Sequence, residues 1–227
     1  MNRTKFGLTS THLRMLALFL MLLDHMWATV IPGNNWMTYV GRMAFPIFAF
    51  QAAEGYHHTH DFKGYCKRLG LFALISEIPF NLMIFSSPIY PFHQNVMLTL
   101  LLGLLACRAY DQRKWLKLAL WVLLGAVSFC DYGAMGVMTV LMFHVFRGQK
   151  SVQLLLLVAI NWFGFEGEQL VFGSFQMPVQ AFAIGAALPI FLYGGEKGRG
   201  GKWLQYGSYL FYPMHMLILW LIRAIAF

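Results

Sequence analysis

The sequence predicts an all-α fold: a polytopic integral membrane bundle of about nine transmembrane helices, N-terminus cytoplasmic and C-terminus outside, in a single domain over residues 1–227. Three observations lead there. The 227 residues are 59% hydrophobic and only 11% charged, with a mean hydropathy of +0.58, whereas a water-soluble domain carries about 25% charged residues. The charges fall in short clusters between apolar runs of about 15 to 23 residues, lengths suited to a lipid solvent. Finally, 15 of the 17 Lys and Arg residues fall in alternate loops, the bias that marks a cytoplasmic side.

Taken in order, the first run, 13–31, follows a basic flank and is interrupted by Asp24-His25. No small-x-small cleavage site follows it convincingly, so it reads as a retained helix and not as a removable signal. The second, 38–56, carries Arg42 and Pro46, with Gly41, Ala44, Ala49 and Ala53 permitting close helix contact. The third, 68–86, holds Glu77 and Asn81 on one face with Pro79 between them as a kink. The next four, 95–109, 116–131, 133–147 and 151–165, fall short of the roughly 20 residues a bilayer requires. They need local thinning of the bilayer or shielding by their neighbours. The eighth is 175–193, and the last, 206–226, contains Tyr209, Tyr212, Pro213 and His215. Trp27, Trp36, Trp162 and Trp220 suit the outer interface, and Trp115 and Trp203 the inner one.

The cytoplasmic loops on this reading hold Arg3, Lys5 and Arg14; Lys63, Lys67 and Arg68; Arg108, Arg113, Lys114 and Lys117; Arg147 and Lys150; and Lys197, Arg199 and Lys202. The formal net charge of +8 then reflects topology and contact with anionic lipid or ligand, not nucleic acid. Cys66, Cys107 and Cys130 suggest neither a disulfide framework nor a thiolate metal site. There is no Gly-rich nucleotide loop and no zinc motif.

What stands out chemically is a set of polar groups inside apolar runs, each costing several kcal/mol in lipid by roughly any scale, and hence a functional candidate. Asp24 and His25 point about 100° apart on a helix, so they need not bond each other, but both could enter one cavity. An imidazole suits a general base and a carboxylate can orient it; the alternative is a structural pair. Arg42 sits at a depth where it could pair with Asp24, or hold a carboxylate or oxyanion. Glu77 could accept a proton or hold an amine, with an interhelical hydrogen bond to be weighed against that. His215 lies on a stripe with Tyr209 and Tyr212, either of which could satisfy it. Asn95 and Asp131 open helices near the same level. At the cytoplasmic end, His57, His58 and His60 lack an established metal spacing, so no metal is expected. With Lys63, Lys67 and Arg68 they suit a phosphate-bearing cofactor, or else inner-leaflet lipid.

The segments LALFLMLLDHM, GRMAFPIFAFQAAEGYHHT, KRLGLFALISEIPFNL, NVMLTLLLGLL, DYGAMGV and YLFYPMHMLILWLI together resemble the TraX family of membrane proteins, linked to N-terminal acetylation of conjugative pilin and similar to the transmembrane acyltransferases. The resemblance runs from about residue 13 to the C-terminus. It implies a multi-pass protein of the bacterial inner membrane that moves an acetyl or other small acyl group from acyl-coenzyme A to a hydroxyl or amine. The acceptor would be a small glycan, lipid or peptide N-terminus. It implies His25 as base within a catalytic set of His25, Asp24, Arg42, Glu77 and His215. Asn81, Asn95, Asp131 and Tyr212 would line the substrate site, and His57, His58, His60, Lys63, Lys67 and Arg68 would face the phosphates of coenzyme A. Direct transfer and an acyl-His25 route both remain open, as does the choice of oxyanion stabiliser among Arg42, Asn81 and a tyrosine. The other readings are a transporter with an Asp24/His25/Arg42/Glu77 relay and a structural component of a secretion or conjugation complex.

Overall fold

The computed structural model describes residues 7–198 and 200–226. Of the cations that set the charge bias, Arg3, Lys5, Arg199 and the side chain of Lys202 lie outside what is described. Helix α1 (Ser10–Thr29) starts where Thr9 and His12 cap each other reciprocally: the Thr9 hydroxyl accepts the His12 N–H, and the His12 ring accepts that of Thr9. The second apolar run divides into α2 (Trp36–Gly41) and α3 (Ala44–His58), which meet at Arg42-Met43. Pro46 falls in the first turn of α3, where its missing N–H costs nothing. Helix α4 (Phe62–Phe85) is capped by Asp61, which accepts the Gly64 N–H at 2.8 Å, and continues through Pro79 to Ser86 in left-handed geometry.

Asn95 caps α5 (Val96–Asp111) through the Met97 N–H. Then follow α6 (Trp115–Val127), α7 (Gly133–Val145) and α8 (Lys150–Phe163). The expected helix over 175–193 is replaced by an antiparallel hairpin, β1 (Gln169–Phe172) and β2 (Phe175–Pro178), then a 3-10 segment, Val179–Ala186, and the short α9 (Ala187–Phe191). Gly173, at φ 63°, makes the tight turn, and Pro178 ends the second strand. Helix α10 (Gly201–Ala226) closes the fold.

Small residues set the packing. Ala49, Ala52 and Ala53 of α3 are buried and let α1 and α7 approach on either side, with Leu13, Ile47, Val140 and Phe143 interlocking around them. Helices α4 and α10 lie side by side: Phe72 stacks on Tyr209, and Arg223 donates to Leu82 O and Ser86 Oγ. Leu74 and Leu116 are 77% and 89% exposed, among many apolar side chains turned outward on α4, α6 and α10. An apolar surface of that extent belongs against lipid or a partner.

The nine-span expectation is overturned. Among the described residues two helices are long and apolar enough to cross a membrane, Phe62–Phe85 and Tyr206–Ala226. The reason is length and composition. Helices α6, α7 and α8 have 13, 13 and 14 residues and reach only about 20 Å against roughly 30 Å of hydrocarbon. The second run breaks at Arg42-Met43, the eighth is largely non-α, and α1 carries Arg14, Asp24 and His25 along its length. The multi-pass inner-membrane placement, and the orientation read from nine alternating loops, fall with it.

Candidate functional site

Asp24 is five residues from the end of α1, and there α2 crosses closely because Gly41 has no side chain: a Cβ on Gly41 would lie 2.5 Å from that of Asp24. This brings Arg42 onto the carboxylate. Its Nη2 donates to both Asp24 oxygens at 2.7 Å, and Thr38 Oγ1 donates to Oδ1 at 2.7 Å. Burial works against the Arg42 charge, but Tyr132, Asp24 and Asp131 raise its pKa further, so the guanidinium stays charged. Its Nε is buried without an acceptor among the described residues.

Asp24 is thus committed to Arg42 and Thr38, and His25 is held from elsewhere. His25 Nδ1 lies 2.7 Å from His215 Nε2, with the two rings nearly parallel, and His215 Nδ1 lies 2.8 Å from the carbonyl of Phe211. A carbonyl only accepts, so His215 Nδ1 carries the hydrogen and its neutral Nε2 accepts from His25 Nδ1–H. His25 Nε2 is then left with a lone pair and no partner among the described residues. Two imidazoles bonded in this way share at most one added proton between them.

Glu77 lies where α4 passes the start of α5. Its Oε2 accepts from Asn95 Nδ2 at 2.5 Å, and Asn81 Nδ2 lies 3.5 Å from Oε1. Asn95 also donates to Ala73 O. These contacts tie α4 to the α5 cap, while Asn81 Oδ1 stays buried and unbonded among the described residues. Asp131 lies in the bend before α7, where Tyr132 has φ 63° and stacks on Phe45; Thr99 Oγ1 donates to its carbonyl, and its carboxylate meets His93 at 3.6 Å.

The Asp131 carboxylate beside it raises the His93 pKa above its usual 6.5, with burial opposing and the Glu77 charge adding. A raised folded value contributes stability fully below pH 6.5, which is lost as pH rises through it. His93→Ala is therefore expected to lower the melting temperature more at about pH 5.5 than at about pH 8.5. Equal shifts at both values would show that the pair carries no charge.

A cavity of about 510 Å³ opens between α1, α3, α4, α5 and α10. Its mouth holds Arg14, Glu54, His58, Arg68 and Lys197; its inner end holds Met21, Val96, Met97 and Tyr212. On α1 the lining residues Arg14, Leu18 and Met21 are spaced by four and three, and His25 follows four further on, one turn past the inner end. On α10, Tyr212 lines the cavity and sits three residues before His215.

Of the six residues expected to face a donor, His58 and Arg68 line this cavity, while His57, His60, Lys63 and Lys67 do not. His57 turns the other way: its Nε2 lies 3.1 Å from Nδ1 of the buried His144, whose Nε2 lies 2.8 Å from Asp111, which also accepts from Tyr56. Neither His144 nor Asp111 was singled out from sequence, since each needs the ends of α3, α5 and α7 to meet. Arg14 and Lys197 were read only as topology signals. For Arg14 a signal existed, its three-turn spacing from His25.

The family described as TraX protein matches residues 9–223 of this chain. A curated relative, the probable fimbrial assembly protein FimC, serogroup H1, of Dichelobacter nodosus, is 28% identical over 228 residues, covering 91% of this chain and 92% of that protein. No solved structure matches.

Proposed function

The chain belongs to the TraX family, and from that premise we propose that it is a membrane-associated acyltransferase, moving an acetyl or other small acyl group from acyl-coenzyme A to a hydroxyl or amine. Family membership supports the general acyltransferase role of the pilin-acetylation kind. The observation that carries the finer reading is the cavity, basic at its mouth and ending one helical turn from an imidazole with a free lone pair.

On this reading the thioester arm lies along the Arg14–Leu18–Met21 stripe, and the acceptor meets it beside His25. His25 Nε2 takes the acceptor proton as the acceptor oxygen or nitrogen attacks the thioester carbonyl carbon. The carbon–sulfur bond then breaks, and the thiolate leaves with the proton from His25. Arg42, whose Nε lacks an acceptor, is the group best placed to stabilise the tetrahedral oxyanion. The acceptor is a peptide amine, a glycan or a lipid; the name of the FimC relative, a probable fimbrial assembly protein, favours a pilus-related peptide among them.

The test is binding of acetyl-coenzyme A to the purified protein by titration calorimetry. Wild type and His25→Ala should bind comparably, and Arg68→Ala should bind about tenfold more weakly, as loss of one charge-assisted contact implies. Absence of saturable binding of any acyl-coenzyme A to folded protein would sink the reading.

A further inference from the structure

The cavity mouth holds more positive charge than the protein itself neutralises. Among the described residues Glu54 is the one carboxylate in its lining, and it is taken: Arg147 donates to it at 2.6 and 3.1 Å, and His58 lies 3.5 Å away. Among the described residues no carboxylate lies within ion-pair distance of Arg14, Arg68 or Lys197. Arg14 and Arg68 both lie within electrostatic range of Tyr65. Its hydroxyl packs so closely on Gly55 that a Cβ there would be 3.0 Å away. Arg68 Nε is buried with no acceptor among the described residues. Buried donors are almost always satisfied, and like charges gathered without a counter-ion call for an anion from outside.

The depth of the cavity adds a length. Arg14 and His25 are on the same face of α1, about 16 Å apart at 1.5 Å per residue. A phosphopantetheine arm, equivalent to about five extended residues, reaches about 17 Å. With a phosphate at Arg14 and Arg68, the extended arm is therefore long enough to span the rise to His25, one turn past the residues that line the cavity. The volume of about 510 Å³ suits that arm, within the usual range for small-ligand sites. It leaves the nucleoside beyond the mouth.

We propose that the cavity recognises its donor by the phosphate next to the pantetheine arm, using Arg14, Arg68 and Lys197, and not by the nucleoside, so that acyl-4′-phosphopantetheine is the minimal ligand. This rests on the acyl-thioester reading above. The arm acts as a ruler between the anion site and the base.

The experiment compares four acetyl thioesters on the purified full chain: acetyl-coenzyme A, acetyl-4′-phosphopantetheine, acetyl-pantetheine and S-acetyl-N-acetylcysteamine. Removing the nucleoside should weaken binding by less than about tenfold, and removing the phosphate by a further thirtyfold or more, a loss typical of charge-assisted contacts. In Arg14→Gln/Arg68→Gln, acetyl-4′-phosphopantetheine and acetyl-pantetheine should bind alike. The proposal is overturned if acetyl-coenzyme A binds more than a hundredfold tighter than acetyl-4′-phosphopantetheine, or if the double variant still distinguishes the phosphorylated arm from the unphosphorylated one. If none of the four binds folded protein, the acyltransferase reading itself has failed.

Discussion

Replacing His25 with alanine is expected to lower single-turnover acyl transfer by about 10³-fold, within the range for loss of a positioned general base, while leaving donor affinity unchanged within about twofold. The split follows from the geometry. The basic side chains proposed to hold the donor phosphate line the cavity mouth, Arg14 three helical turns before His25 on α1, so removing the imidazole leaves them in place. On the proposed mechanism His215 is a positioning residue: it sets which His25 nitrogen carries the hydrogen and is itself held by the Phe211 carbonyl. His215→Ala should cost about one to two powers of ten in rate, and His215→Gln, which retains an acceptor, should recover part of it. A purely packing role would let both variants keep the wild-type pH–rate profile. His25→Ala retaining more than a tenth of wild-type turnover would remove His25 from the chemistry.

The second large effect is on stability. Asp24→Ala or Arg42→Ala alone should each cost about 3 kcal/mol, because each leaves a largely buried charge without its partner. The side chains are only 24% and 16% exposed for Arg42 and Asp24, so water replaces little of what is lost. The double variant should cost clearly less than the sum of the two, since neither charge is then stranded. Thermal unfolding of the four proteins in one detergent measures the coupling. Additive losses would mean that Asp24 and Arg42 are stabilised separately.

The sequence placed the helical stretches well where an apolar run has clear ends. The runs at 13–31, 95–109 and 206–226 became α1, α5 and α10 with ends moved by a few residues, because capping by Thr9 and Asn95 is local chemistry. It misread the run at 175–193 as one helix, where Gly173 turns the chain into a hairpin that ends at Pro178 and a 3-10 segment follows, since an apolar run does not say whether it will be strand or helix. It also misjudged how many runs could cross a bilayer, because hydrophobicity alone does not register that α6, α7 and α8 are too short and that the second run breaks at Arg42-Met43.

The Asp24–Arg42 pair was one of two alternatives legible in the sequence, and the contact at 2.7 Å decides for it; the family was legible from the combined segments. The partner of His25 was not, because the 190 residues between His25 and His215 carry no local signal of proximity. The same holds for His57, whose contact with His144 and Asp111 turns it away from the cavity. Residue type and periodicity thus determine which groups are chemically available and which helix face bears them. Which of two ring nitrogens is free, and which cations share a cavity whose acid is already paired elsewhere, are decided by contacts between helices distant in the chain, and only the tertiary structure supplies those.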